Sequence, residues 1–581
     1  MLFAFFFLPL AVASLEPEQA VWSSQAFGAD GPWNAVEVSI GSQPKISLFP
    51  GRMWHTFVTT SDYCAFNNSV PHCQSGTYLK DKVVAGSTAS SSTKISYKPP
   101  SQQLNAGIAV TGESNMYLDS IDMQIGGGVI QNTSLALIES QMLVYPGGAL
   151  YPIFTGCLNI GAPEPQQIFT GSNSVNASMI PWALKSKGFT ASSSFGLHYG
   201  SAGPSAKMSG SLLFGGYDRN RVVGDVISFE GDFWKSVTLQ DISMRVVKGS
   251  SPFDSFPADN IKKGLLAAGN SSITSAGLSV LLDPCSPYIT LPKSTCDSIA
   301  SHLPVSYNES LGLYIWDTSS PRYSRIVSSA SALSFTFMGQ SNTDTLTIHV
   351  PFRHLNLTLS PPFVDEPTPY LPCFTGGIGA YVLGRAFFQD AFLGANWEKN
   401  KIWLAQAPGP NVPARVDAAT VQPDDETITG GANDWERSWE GFWTELSAEE
   451  TNGTAPVEGS TSGGGEEGGG TSSVSTAGGG GGGLSTSAMV GIAVGAAVVV
   501  MALIGVAGFF FWRRWKAGRV VPQARPGTLV EPVYGDRYGE KPPAWAGVLV
   551  EAPAPRVLVE APVPDHRVYE MPAGDYWSRA R

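Results

Sequence analysis

"WNAVEVSIGSQPKISLFPGRMWHTFV", residues 33–58, sets the fold class. Val36, Val38 and Ile40 alternate with Glu37 and Ser39, the period-two pattern of a half-buried strand. After a Gly-Ser-Gln-Pro break, a second strand runs through Ser47-Leu48-Phe49 into a turn that carries Pro50. The same rhythm returns in "LTIHVPF" at 346–352, and Gly, Pro and Asn interrupt it throughout residues 21–408. Short alternating runs with frequent turn residues predict an all-β protein. Few segments read as helices; "STCDSIASHL" at 294–303 is one candidate.

The composition agrees. Of the 581 residues only 14% are charged, against roughly 25% in ordinary globular proteins. Gly, Ser and Thr take up the difference and favour strands and turns. The formal charge of −12 comes without a basic patch, so no nucleic-acid partner is expected.

Two apolar runs bound the folded part. Residues 1–14 end in Ala11-Val12-Ala13-Ser14 and read as a secretory signal, too short to span a bilayer. Residues 488–512 carry no charge and stop at Arg513-Arg514-Trp515-Lys516. That is a transmembrane helix with a stop-transfer flank. The expected topology is single-pass type I in the plasma or secretory-pathway membrane, N-terminus outside. Its Gly491/Gly495 pair fits a helix-packing motif, or simply the small-residue content of membrane spans. Between body and membrane, residues 409–487 read as an acidic, then Gly/Ser-rich stalk. Within it Trp435, Trp439, Phe442 and Trp443 recur at helical spacing, which fits either a helix docked on the ectodomain or membrane, or a local turn in a disordered stalk. The Pro-rich tail, 513–581, holds a near-repeat at 548–555 and 557–564; it is expected to be disordered and open to a cytoplasmic partner.

An extracellular body permits disulfides. All six cysteines lie between Cys64 and Cys373; three bridges fit, with 15 pairings open. Asn67, Asn132, Asn176, Asn270, Asn308, Asn356 and Asn452 head glycosylation sequons. No Gly-x-Ser-x-Gly elbow and no phosphate-binding Gly-Lys pair occurs. The seven histidines do not cluster, and His349 and His354 fall on opposite sides of a strand. No metal and no cofactor is expected.

Four segments resemble the pepsin-like aspartic proteases (peptidase A1), particularly the fungal secreted type. "WNAVEVSIGSQPKISLF" resembles the strands leading to the first catalytic loop. "GSLLFGGYDRNRVVGDV" at 210–226 is similar to the stretch near the family's interlobe junction. "SVLLDPCSPYITLP" at 279–292 resembles the second catalytic loop, and "YVLGRAFFQDAFLGANWEKNKIWLAQA" at 381–407 the closing strands. The resemblance implies a bilobal pepsin-like fold, N-lobe about 21–220 and C-lobe about 221–408, with one catalytic aspartate from each lobe. Two close carboxylates share a proton; one activates water while the other protonates the substrate.

Set on that pattern, Asp283 holds the second aspartate position, followed by Pro284 and Cys285. The first position falls on Pro50, which has no carboxylate and no N–H, and residues 40–61 contain no Asp or Glu. Asp283 is then either a catalytic remnant or a turn residue held by backbone N–H groups. Tyr97 stands near the flap tyrosine position, with Lys98-Pro99-Pro100 in place of glycines. By resemblance Cys64 pairs with Cys73 and Cys296 with Cys373. Cys157 and Cys285 remain, either as a third bridge across the altered site or as two buried thiols. The leading expectation is a membrane-anchored pseudoprotease that binds a peptide, protein or glycan in its cleft. An active aspartic endopeptidase and a structural glycoprotein are the alternatives.

Overall fold

The computed structural model describes residues 15–448 except 42, 66–72, 80–92, 96–98, 100–103, 127, 170–174, 233–234, 267–269 and 341–343. The signal segment, the membrane span, the cytoplasmic tail, Tyr97, Asn67 and Asn452 lie outside the described residues. Among the described residues no helix is long and apolar enough to cross a membrane.

Three large sheets dominate the body. A nine-stranded N-lobe sheet draws all its strands from residues 36–178, and a nine-stranded C-lobe sheet draws its strands from 237–383. Between them a six-stranded sheet takes Glu18–Gln19, Ser194–His198, Ser211–Phe214, Val223–Glu230, Ala391–Asn396 and Lys401–Gln406. The lobe boundary expected near 220 therefore falls inside a sheet shared by both lobes. The helix expected at 294–303 is Lys293–Ala300.

Local chemistry explains the pieces. Strand Val36–Ile40 buries Val36, Val38 and Ile40 and half-exposes the residues between. Strand Lys45–Gly51 is buried beyond its first residue, because it has neighbours on both edges and packing on both faces. Pro50 sits in this strand at no cost to the ladder. Phe49 N–H donates to Gly156 O (3.0 Å) and Gly51 O accepts from Ile160 (3.1 Å), so the missing N–H points to the other edge. There the pairing with Val36–Ile40 already ends at Leu48.

The Gly-Gly-Tyr-Asp stretch is a junction. Gly215 has φ +74°, open to glycine, and a Cβ on Gly216 would lie 2.2 Å from Ala419 O. Asp218 Oδ1 accepts from Asn220 N (3.1 Å) and Asp417 N (3.0 Å), and Oδ2 lies 3.5 Å from the Arg221 guanidinium. Arg221 donates to His198 Nδ1 (3.2 Å), which leaves Nε2–H to donate to Gln389 O (2.8 Å).

One boundary is corrected. The body does not end at 408. Strand Ala418–Thr420 pairs with Gly216–Asp218, and Val421 and Ile428 join Tyr217, Phe392 and Trp403 in a small core. Helix Trp435–Ser438 then places Trp435 and Trp439 on the C-lobe edge. Residues 409–448 are acidic in composition yet carry enough tryptophan and aliphatic surface to pack, so no stalk begins at 409.

Candidate functional site

The two loops expected to carry the dyad face one another. Strand Cys157–Asn159 runs parallel to Lys45–Gly51 with Leu158 opposite Pro50, which brings Cys157 beside the first loop. Cys157 is bonded to Cys285 of the second loop, with Cα atoms 5.9 Å apart. A Cβ on Gly51 would stand 3.0 Å from Cys285 Cβ and 3.4 Å from Cys157 Cβ, so the bridge lies flat against the first loop. The other two bridges are Cys64–Cys73 and Cys296–Cys373.

Asp283 is buried, 1% exposed. Its Oδ1 accepts from Cys285 N–H (3.1 Å), and its Oδ2 accepts from the Ser286 hydroxyl (2.9 Å) and lies 3.8 Å from Arg52 Nε. Both oxygens are engaged by the chain itself. Arg52 is equally buried; burial pulls its guanidinium below the usual arginine range and Asp283 pulls the other way. Removing one member of a buried pair leaves the other charge uncompensated, at about 3 kcal/mol or more. Arg52→Met and Asp283→Asn are each expected to destabilise by about 3 kcal/mol, and the double variant by clearly less than the sum. Urea unfolding of the four proteins measures this; strict additivity would show that the pair is not coupled.

The space above the loops is filled. Leu104, Asn105, Ala106, Gly107 and Ile108, which follow the expected flap, are all buried. Asn105 Oδ1 accepts from Gly107 N and Ile108 N (2.9 and 3.1 Å) and faces the Ser286 hydroxyl (2.9 Å). Phe363 of the C-lobe packs on Tyr151 (4.5 Å between centroids), Tyr145 (5.2 Å) and Phe154 (5.9 Å) of the N-lobe. Tyr145 and Tyr288 join hydroxyls across the lobes at 2.9 Å. The recess that remains, lined by Phe49, Asn105, Cys157, Cys285 and Arg385 among others, holds about 50 Å³. Small-molecule sites usually hold roughly 300–1,000 Å³.

Two residues here were not singled out in the sequence. Arg385 donates to Cys285 O and to Asp30 Oδ2 (2.8 Å), with its guanidinium 4.0 Å over the Phe49 ring and 5.2 Å over Trp33. Asp30 is pushed above the usual carboxylate range, first by burial, with Arg385 opposing. A lone arginine inside the apolar run "YVLGRAFF" is the signal that could have found this pair, since a buried arginine requires a partner.

The described sequon asparagines sit at the surface or half-buried. Asn132 and Asn176 are exposed; Asn270, Asn308 and Asn356 are partly covered, and Asn356 shares a hydrogen bond with the Tyr323 hydroxyl (3.0 Å). His354 lies against Asp390, and His349 against Ser334 and Trp435.

Comparison with known proteins places these features. A family model described as eukaryotic aspartyl protease matches residues 67–407. An acid protease of Saccharomycopsis fibuligera is 26% identical over 254 residues, 43% of this chain and 56% of that protein. Aspartic proteinase 3 of Saccharomyces cerevisiae is 24% identical over 297 residues, 49% of this chain and 46% of that protein. The alignments thus span about half the length of these curated relatives. The solved aspartic proteinase of Irpex lacteus aligns with a TM-score of 0.40 at 13% identity, covering 67% of this chain and 98% of that one. With the family match covering more than half of the chain and containing the junction motif and the closing strands, the chain belongs to the eukaryotic aspartyl protease family.

Proposed function

We propose that this chain is a pepsin-like pseudoprotease, a single-pass membrane glycoprotein that binds or senses at the cell surface and does not cut. The filled recess carries this reading. A working dyad needs two carboxylates that share a proton around a water. Here Pro50 supplies none, and both oxygens of Asp283 are held by Cys285, Ser286 and Arg52. The active-endopeptidase alternative requires a second carboxylate from elsewhere. Asp30 is the carboxylate lining the recess, and it is bound to Arg385. With about 50 Å³ left at the centre, a peptide or glycan would be recognised on the outer surface of the body and not between the lobes.

The test is proteolysis of a denatured protein substrate by the purified full-length chain between pH 3 and 7, with and without pepstatin. No pepstatin-sensitive cleavage is expected. Cleavage that pepstatin blocks and Asp283→Asn abolishes would restore the endopeptidase reading.

A further inference from the structure

Residues 435–446 close over the C-lobe edge as a clasp. Trp435 lies against His349 (4.9 Å between centroids) and Trp439 against His354 (4.8 Å), with Trp443 packed on both tryptophans (5.6 and 5.7 Å). The backbone adds Thr444 N to Ser328 O (2.8 Å), Ala330 N to Thr444 O (3.2 Å) and Ser250 N to Leu446 O (2.8 Å). Two ion pairs tie it down at its ends, Arg245–Glu436 (3.7 Å) and Lys248–Glu445 (3.6 Å).

We propose that this clasp is acid-released: protonation of His349 beneath Trp435 lifts residues 435–446 off the body while the large sheets stay folded.

The contact brings together His349, His354, Asp390 and the charges of Arg245, Lys248, Glu436 and Glu445. His349, on strand Thr345–Pro351, faces Ser334 Oγ at Nδ1 (2.7 Å), the Trp435 ring and the charge of Arg245. Burial, with Arg245 second, holds its imidazole down to about 4. An imidazolium against an indole face gains cation–π attraction of about 0.5–2 kcal/mol, but burial and Arg245 outweigh that gain here. Glu436 is the counter-charge of Arg245.

His354 Nε2 faces the Ala206 carbonyl (3.3 Å), so it carries a proton, and Nδ1 meets Asp390 Oδ2 at 2.8 Å. One proton therefore joins His354 to Asp390. Behind them stand His198 and Arg221. Asp390 is held above the usual carboxylate range by burial, with His354 opposing.

The sign follows from linkage. A histidine that titrates near 4 when covered and near 6.5 when free favours the open form as pH falls through 6.5. At pH 5 that alone shifts the docked-to-open ratio roughly 20-fold relative to pH 7. Residues 435–446 then join the chain leading toward the expected stalk, lengthening its reach.

Hydrogen exchange of the full-length protein at pH 7.5 and pH 5.0, corrected for the intrinsic rate, tests this. Protection of 435–446 is expected to drop roughly 20-fold at pH 5.0 while Ala391–Asn396 and Lys401–Gln406 keep theirs. In His349→Gln, which keeps a polar group toward Ser334 but cannot take the proton, most of the drop should vanish. Trp435→Ala is the open control, unprotected at both pH values. Unchanged protection of 435–446 in the wild type would overturn the proposal. So would a loss that proceeds in step with the central strands, because the clasp would then open only with the whole fold. Should His349→Gln fail to fold, the wild-type comparison of clasp with central strands still decides.

Discussion

Replacing the bridge between the loops, Cys157→Ala with Cys285→Ala, is expected to cost about 5 kcal/mol of stability. The pair is separated by 128 residues. A loop of that length removes about 5 kcal/mol of chain entropy from the unfolded state in the loop-closure account. The loss of two packed sulfurs adds a smaller cavity term. No other described disulfide joins the lobes, since Cys64–Cys73 and Cys296–Cys373 each lie within one. Guanidinium unfolding measures the loss. A cost below about 1 kcal/mol would show that Arg385–Asp30 and the tyrosine pair already hold the lobes without help. Proteolytic activity is not expected to appear in this variant, because it still lacks a first carboxylate.

The bridge was one of two readings that the sequence left open. Two pairs followed from resemblance, and Cys157 and Cys285 remained, either bridged or as buried thiols; the parallel pairing of Cys157–Asn159 with Lys45–Gly51 brings them together. Pro50 is read directly off the sequence, and proline carries no carboxylate. Arg52 was read only as a departure from glycine. Its contact with Asp283 joins residues far apart in the chain, and nothing local in "FPGRMW" announces a partner. The Arg385–Asp30 pair spans 355 residues and was missed for the same reason. A buried charge is visible in sequence as a lone charge in an apolar run, but its partner is not.

The C-terminal boundary shows a different limit. The helical spacing of Trp435, Trp439 and Trp443 was readable, and an amphipathic turn needs a surface to cover. That surface is assembled from Ala206, Val223, Ala332, His349 and His354, which no single segment displays. Acidic composition pointed to a stalk at 409–448, and tertiary packing overrode it.

Acid should destabilise the whole body, which is the second large effect. Burial pushes His55 and His198 down to about 3 and His349 to about 4; at His198 the Arg221 charge adds to it. Each stays neutral in the fold and would take a proton near pH 6.5 once unfolded. The unfolded state therefore binds more protons, and stability falls as pH drops through 6.5 toward 4, by roughly 2 kcal/mol per histidine at pH 5. Asp30 and Asp390 act oppositely, because burial raises them and a raised carboxyl is favoured in the fold as it protonates. Each already sits against a cationic partner or a shared proton, so their compensation is partial. A net loss of several kcal/mol between pH 7 and 5 is expected, and urea midpoints at pH 7.5, 6.5, 5.5 and 4.5 measure it. His198→Gln should flatten the slope by about one proton. A pH-independent midpoint would show that these histidines are solvated in the native state. An enzyme relying on a proton-sharing dyad at acid pH needs a fold that holds there. A body that weakens over that range fits the pseudoprotease reading proposed above.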